Sequence, residues 1–303
     1  MSIPSSVVIR DVGPRDGLQP EAPVPVADRV RLVEALVDAG VRHVEVAAFV
    51  SPRAVPAMAG AAEVVAAIDR RPEVTYAALV PNVKGAELAL AAGVDEITVT
   101  VSASATYNER NVRMSIDESV VVIGEVAALA GATRVDAVVS CAFGSPYEPE
   151  LGPGDAVALG ERVSAAGASR VTYADTTGMA TPRLVGQLLD AAGAGTTAAD
   201  LGLHLHDTRG TALLNAWVAI ERGVTRFDTA VGGLGGSPFA HGAGGNLATE
   251  ALVAVLDDAG IATGIDVERL VLAAALVEEL VGRPVPSGVA HAGPRTRRTP
   301  TSS

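Results

Sequence analysis

The sequence predicts an α/β protein, a TIM (β/α)8 barrel with a short C-terminal helical extension, and three observations carry that expectation. Short runs rich in β-branched residues alternate with Ala- and Leu-rich amphipathic stretches from Val7 almost to the end, as repeated βα units around a parallel sheet require. Eight such runs can be counted. A chain of 303 residues, 49% of them hydrophobic, suits one closed barrel better than an open doubly wound sheet.

The first strand is expected over Val7 to Asp11, followed by Gly13-Pro14-Arg15-Asp16-Gly17-Leu18-Gln19. That turn sets a cation, a carboxylate and an amide at the rim; an Arg–Asp pair capping a loop is the plainer alternative. Further strands are expected over Val41 to Ala47, Thr75 to Val80, Glu96 to Val101, Arg134 to Ala142, Arg170 to Ala174, Leu201 to His206 and Arg226 to Val231. Helical periodicity fills the gaps at Ala27 to Ala39, Ala57 to Arg70, Val83 to Ala92, Ser115 to Ala130, Gly154 to Ala166, Pro182 to Ala192 and Thr211 to Arg222. Gly40, Gly93, Gly131, Gly167 and Gly223 follow several of these stretches as C-terminal stops. A last barrel helix after Leu247 and an apolar segment from Val267 to Val281 complete a single domain over 1–285, and 286–303 reads as a disordered tail.

A formal net charge of -12 leaves no global positive field for nucleic acid or anionic lipid. No apolar run is long enough to span a bilayer, and the N-terminal stretch lacks the pattern of a secretory signal, so a cytoplasmic protein is expected. Cys141 is the only cysteine, which removes internal disulfides and Cys-cluster metal sites. It reads as a packing residue rather than a thiol nucleophile.

In a TIM barrel, chemistry sits where the strands end and the βα loops gather. His204 and His206 fall at such an end, and alternation along a strand sends both side chains the same way. Two imidazoles on one side suit a metal, and Asp16 offers a carboxylate that would favour a harder six-coordinate ion over zinc. After the eighth strand, residues 232–246 form a glycine-rich loop. It reads as a mobile lid, or alternatively as a backbone phosphate cradle.

Taken together, GPRDGLQ, VEVAAFVSPRAVPAM, PNVKGAELALAAG, SASATYNERNV, HLHDTRG and GGLGGSPFAHGAGGNLATE resemble the 3-hydroxy-3-methylglutaryl-CoA lyase family, over roughly Val7 to Val281. The resemblance implies a divalent-metal-dependent carbon–carbon lyase that cleaves 3-hydroxy-3-methylglutaryl-CoA, or a close 3-hydroxyacyl-CoA, to acetyl-CoA and a keto acid, as in leucine degradation. It implies Asp16, His204, His206 and Asn246 as ligands of Mg²⁺ or Mn²⁺. Arg15 corresponds to the arginine that neutralises the enolate oxygen, Glu45 and Asp175 to acidic groups of the catalytic set, and Gln19, Asn111 and Glu250 to substrate-binding positions. A homodimer is the expected assembly.

The family loop carries a catalytic cysteine within GGCP, whereas this chain has Ser237. A serine hydroxyl is too weak an acid to inherit that role unaided. His241, four residues on, is the candidate to act directly or through Ser237. Ser145 and Ala105 also depart from the family pattern, which points to altered substrate choice. The competing readings are a lyase or aldolase for another 3-hydroxy acid, an isopropylmalate-type synthase, and a binding protein with weakened catalysis.

Overall fold

A computed structural model describes residues 3–193, 201–236 and 244–297. Its strands are β1 (Val8–Asp11), β2 (His43–Ala48), β3 (Thr75–Val80), β4 (Glu96–Ser102), β5 (Arg134–Ser140), β6 (Arg170–Ala174), β7 (Leu201–His204) and β8 (Arg226–Thr229). Each pairs in parallel with its sequence neighbour, and β8 returns to β1 through Val8↔Arg226 and Asp11↔Thr229, closing the expected barrel. Buried on both faces, these strands read as near-continuous apolar runs; all six residues of β2 are buried.

The helices are α1 (Val26–Asp38), α2 (Ala61–Ala67), α3 (Val83–Ala92), α4 (Ala105–Val112), α5 (Ile116–Ala130), α6 (Pro153–Ala165), α7 (Pro182–Ala192), α8 (Ala212–Glu221), α9 (Thr249–Asp258), α10 (Val267–Val281) and α11 (Gly288–Ala292). They pack an apolar stripe against the sheet; α1, for example, buries Val30, Val33, Leu36 and Val37. At the C-terminal end of α1, Gly40 has φ +106 and a Cβ there would lie 2.4 Å from the Gly264 carbonyl, so no other residue fits without movement. Among the described residues no helix is long and apolar enough to cross a membrane.

Four boundaries differ from expectation. The stretch read as one helix from Ala57 to Arg70 is a turn at Pro56–Met58 and then α2, separated by Gly60 at φ +77. Residues 105–112 form a helix that shows no apolar stripe; Ser104 caps it by accepting from the Tyr107 N–H. β7 stops at His204 because His206 leaves the sheet to bridge antiparallel to Asn246. The tail expected to be disordered from residue 286 instead opens with buried Ser287 and α11, while 298–303 lie outside the described residues.

The barrel interior is polar along part of its axis. Arg10 donates to both carboxylate oxygens of Asp228, at 2.8 and 2.7 Å, and its Nη1 reaches Asp136 at 2.8 Å and Glu96 at 3.3 Å. Glu96 also meets His43, Arg134 and Arg170. Those three residues and Glu96 begin their strands, so this network closes the N-terminal end of the barrel.

Candidate active site

At the opposite end, the residues singled out by sequence converge. His204 ends β7 and His206 follows on the same side, with their Nε2 atoms 3.1 Å apart. Asp16 comes from the tight π-helical turn Gly13–Gly17 after β1. One donor atom from each of Asp16, His204 and His206 falls within 4.8 Å of the others.

Asn246 joins them through its bridge to His206. Its amide nitrogen donates to Asp16 Oδ2 and to the Leu234 carbonyl, both at 2.8 Å, which fixes the orientation of the amide. Asn246 Oδ1 is thereby left buried without a partner. A buried amide oxygen without a donor is costly, and a hard cation would satisfy it. The space is kept by Gly235, where a Cβ would fall 2.2 Å from Asn246 Nδ2 and 3.1 Å from Asp16 Oδ2. One carboxylate, one amide oxygen and two imidazoles fit Mg²⁺ or Mn²⁺ with positions left for substrate oxygens.

Electrostatics agree with that donor set. Burial works against ionisation of Asp16, but Arg15, the histidines and the Asn246 amide outweigh it and hold the carboxyl below its ordinary range. Burial and the neighbouring His204 push His206 down to about 3, so its lone pair is free at neutral pH. His204 is also penalised by burial, yet Asp228 and Asp16 hold it above the ordinary histidine value.

Arg15 donates from Nε to Glu45 and from Nη1 to Asp16 at 2.6 Å. Glu45 is fully buried with Oε1 unpartnered. A cavity of about 370 Å³ opens over this group, lined among others by Arg15, Asp16, Gln19, Asn111, His204 and His206. Asp175 follows β6; its Oδ1 accepts from the Ala180 N–H at 2.9 Å, and its Oδ2 is buried and unpartnered. Burial pushes its carboxyl up to about 7.

Glu250 does not sit as expected for a substrate contact. It is fully buried, with both oxygens receiving the Gly232 N–H, at 3.2 and 3.1 Å. It therefore braces the start of the glycine loop from behind instead of facing the cavity. Ser237 and His241 lie outside the described residues. Cys141 is buried and its thiol is pushed up to about 12 by burial, consistent with packing and not with nucleophilic work.

Sequence reasoning missed Asp228, which lines the cavity and lies 3.3 Å from His204 Nδ1. The available signal was a lone carboxylate in the strand Arg226-Phe227-Asp228-Thr229, whose neighbours alternate across the sheet. It also missed Tyr107, Thr100, Ser140 and Thr176 on the cavity wall, which carry no distinctive motif.

Comparison with known proteins agrees with this geometry. The HMGL-like family model matches residues 6–277. The chain is 42% identical over 291 residues to the Bacillus subtilis hydroxymethylglutaryl-CoA lyase YngG, covering 95% of this chain and 97% of that protein. It is 41% identical over 286 residues to a 3-hydroxy-3-isohexenylglutaryl-CoA/hydroxy-methylglutaryl-CoA lyase of Pseudomonas aeruginosa, covering 93% and 95%. Among solved structures, an HMG-CoA lyase from Acinetobacter baumannii in complex with coenzyme A and 3-methylmalate superposes with a TM-score of 0.94 at 37% identity over 100% of both chains.

Proposed function

The chain belongs to the HMGL-like family, and from that premise we propose that it is a divalent-metal-dependent carbon–carbon lyase cleaving 3-hydroxy-3-methylglutaryl-CoA to acetyl-CoA and acetoacetate. The observation that carries this reading is the convergence of Asp16, His204, His206 and the unpaired Asn246 oxygen beside Arg15 at one cavity.

Asp16, His204, His206 and Asn246 would hold a Mg²⁺ or Mn²⁺ ion, which would supply Lewis-acid polarisation of substrate oxygens. Loss of the tertiary hydroxyl proton turns that carbon into a ketone, and the electron pair of the broken C–C bond passes to the α-carbon of the thioester. Arg15, fixed between Glu45 and Asp16, sets a positive charge where the thioester oxygen becomes an enolate, which is stabilisation confined to the transition state. Glu45, behind Arg15, and Asp175, between the cavity-lining Ala174 and Thr176, are assigned to proton transfer, and Asp175 at about 7 is matched to exchange at neutral pH. Ser237 and His241 belong to the delivery of a proton to the departing enolate. Gln19 and Asn111, on the cavity wall, contact the acyl-CoA.

A second reading is favoured by the Pseudomonas aeruginosa relative, whose name includes a substrate with a longer 3-substituent. On that reading the same chemistry acts on a bulkier 3-hydroxyacyl-CoA. A cytoplasmic homodimer completes the proposal; its mass by light scattering tests the assembly.

The test is to incubate the native protein and Ser237→Cys with 3-hydroxy-3-methylglutaryl-CoA, and separately with a longer-branched homologue, with Mg²⁺ or Mn²⁺, measuring acetyl-CoA and keto acid. Turnover of the first substrate supports the main reading. Turnover of the homologue alone selects the second, and silence of both proteins on both substrates contradicts the proposal.

A further inference from the structure

His204 is gripped from behind. Its Nε2 faces His206, while its Nδ1 lies 3.3 Å from Asp228 Oδ2. The contact is built into the sheet, because the β7–β8 register sets His204 directly beside Asp228. Asp228 is itself immobilised: Arg10 donates to both of its oxygens, and both residues are buried. Arg10 in turn is anchored on Asp136 and Glu96.

A neutral imidazole carries one N–H, and an anion fixed at Nδ1 requires that proton on Nδ1, which leaves the Nε2 lone pair facing the site. Asp136 is an equally buried partner of Arg10, but its contacts run to Thr172 and Arg226, neither of them a ligand of the candidate metal centre. The two carboxylates therefore separate a role in holding the barrel from a role in aiming a ligand.

We propose that Asp228, carried on Arg10, is a positioning residue of the metal centre that fixes the tautomer and ring orientation of His204. This rests on the metal-dependent reading of the site, and the experiment separates the two. Mn²⁺ binding is measured by calorimetry and by the electron paramagnetic resonance of free Mn²⁺ for the native protein, Asp228→Asn and Asp136→Asn. Asp228→Asn is expected to weaken Mn²⁺ binding about 10- to 100-fold, whereas Asp136→Asn stays within about twofold of native.

Native-like affinity in Asp228→Asn overturns the proposal while leaving the metal site intact. Equal weakening in both variants also overturns it, since it would reflect general disturbance of the barrel. Failure of the native protein to bind Mn²⁺ overturns the metal reading and this inference with it. Should Asp228→Asn not fold, ¹⁵N spectra of the native protein with Mg²⁺ bound decide: protonated Nδ1 and unprotonated Nε2 on His204 are expected, and the reverse tautomer contradicts the proposal.

Discussion

At the N-terminal end of the barrel, both oxygens of Glu96 and of Asp136 meet a cation or a hydroxyl donor. At the C-terminal mouth, Glu45 Oε1, Asp175 Oδ2 and Asn246 Oδ1 are equally buried and have no partner. The exceptions among the described residues at the N-terminal end are nitrogens, Arg226 Nη1 and His43 Nε2, which lies 2.9 Å from Glu96 Oε1 without hydrogen-bonding to it. Burial costs both groups of residues solvation, but only the first recovers it within the folded chain. Unpaired acceptors gathered at one end are unfavourable to the fold and useful to a ligand. The difference between closed and open polar networks thus separates the part of the barrel that holds from the part that reacts.

The largest expected effect that sharpens this contrast is at the mouth. Arg15→Met should lower kcat on the order of 10²- to 10³-fold with little change in KM, because the charge acts on the transition state; steady-state kinetics checks it. A matching loss in KM alone would make Arg15 a binding residue.

The next effect belongs to the other end. Glu96→Gln removes the one carboxylate shared by Arg10, Arg134 and Arg170 and should cost about 3–5 kcal/mol of stability while leaving kcat of the folded protein unchanged. Burial raises the Glu96 carboxyl, but His43, Arg10 and Arg134 outweigh it and hold it far below its ordinary 4.5. A depressed folded value means the contribution is present above pH 4.5 and fades as pH falls through and below it. Urea titrations of both proteins across pH should show the gap narrowing in acid.

The smallest effect lies just beneath the mouth, at the end of β1. Asp11 accepts from the Gly13 and Val231 N–H groups and from the Thr249 hydroxyl, tying together the turns that carry Asp16 and the glycine loop. Burial pushes its carboxyl up to about 7 despite those bonds. The raised folded value means its protonated form is favoured by folding, so stability is lost as pH rises through 7. Thr249→Val removes a donor to the charged form and should cost about 1 kcal/mol, more at pH 8 than at pH 5. An equal cost at both values would show Asp11 ionised throughout.

The barrel was legible because buried parallel strands leave β-branched runs, and β3, β6, α3 and α7 fall where the pattern places them. α4 was not: Ala105–Val112 is short and mostly polar, with Tyr107 and Asn108 its buried residues, and its helicity depends on the Ser104 cap and on Glu148 reaching the Thr106 N–H from a distant loop. In the site, period-two alternation exposed the pairing of His204 with His206, and the first turn exposed Asp16. Asp228 was hidden because its partner Arg10 lies 218 positions away. Glu250 was misplaced because an acidic residue in the motif says nothing of which way a helix turns it.

The most direct test of the central claim strips the native protein with chelator, then records its thermal unfolding and its cleavage of 3-hydroxy-3-methylglutaryl-CoA before and after restoring Mg²⁺ or Mn²⁺. The account predicts a stripped protein that stays folded, makes no acetyl-CoA, and recovers when the ion returns. Undiminished turnover by the stripped protein would contradict it.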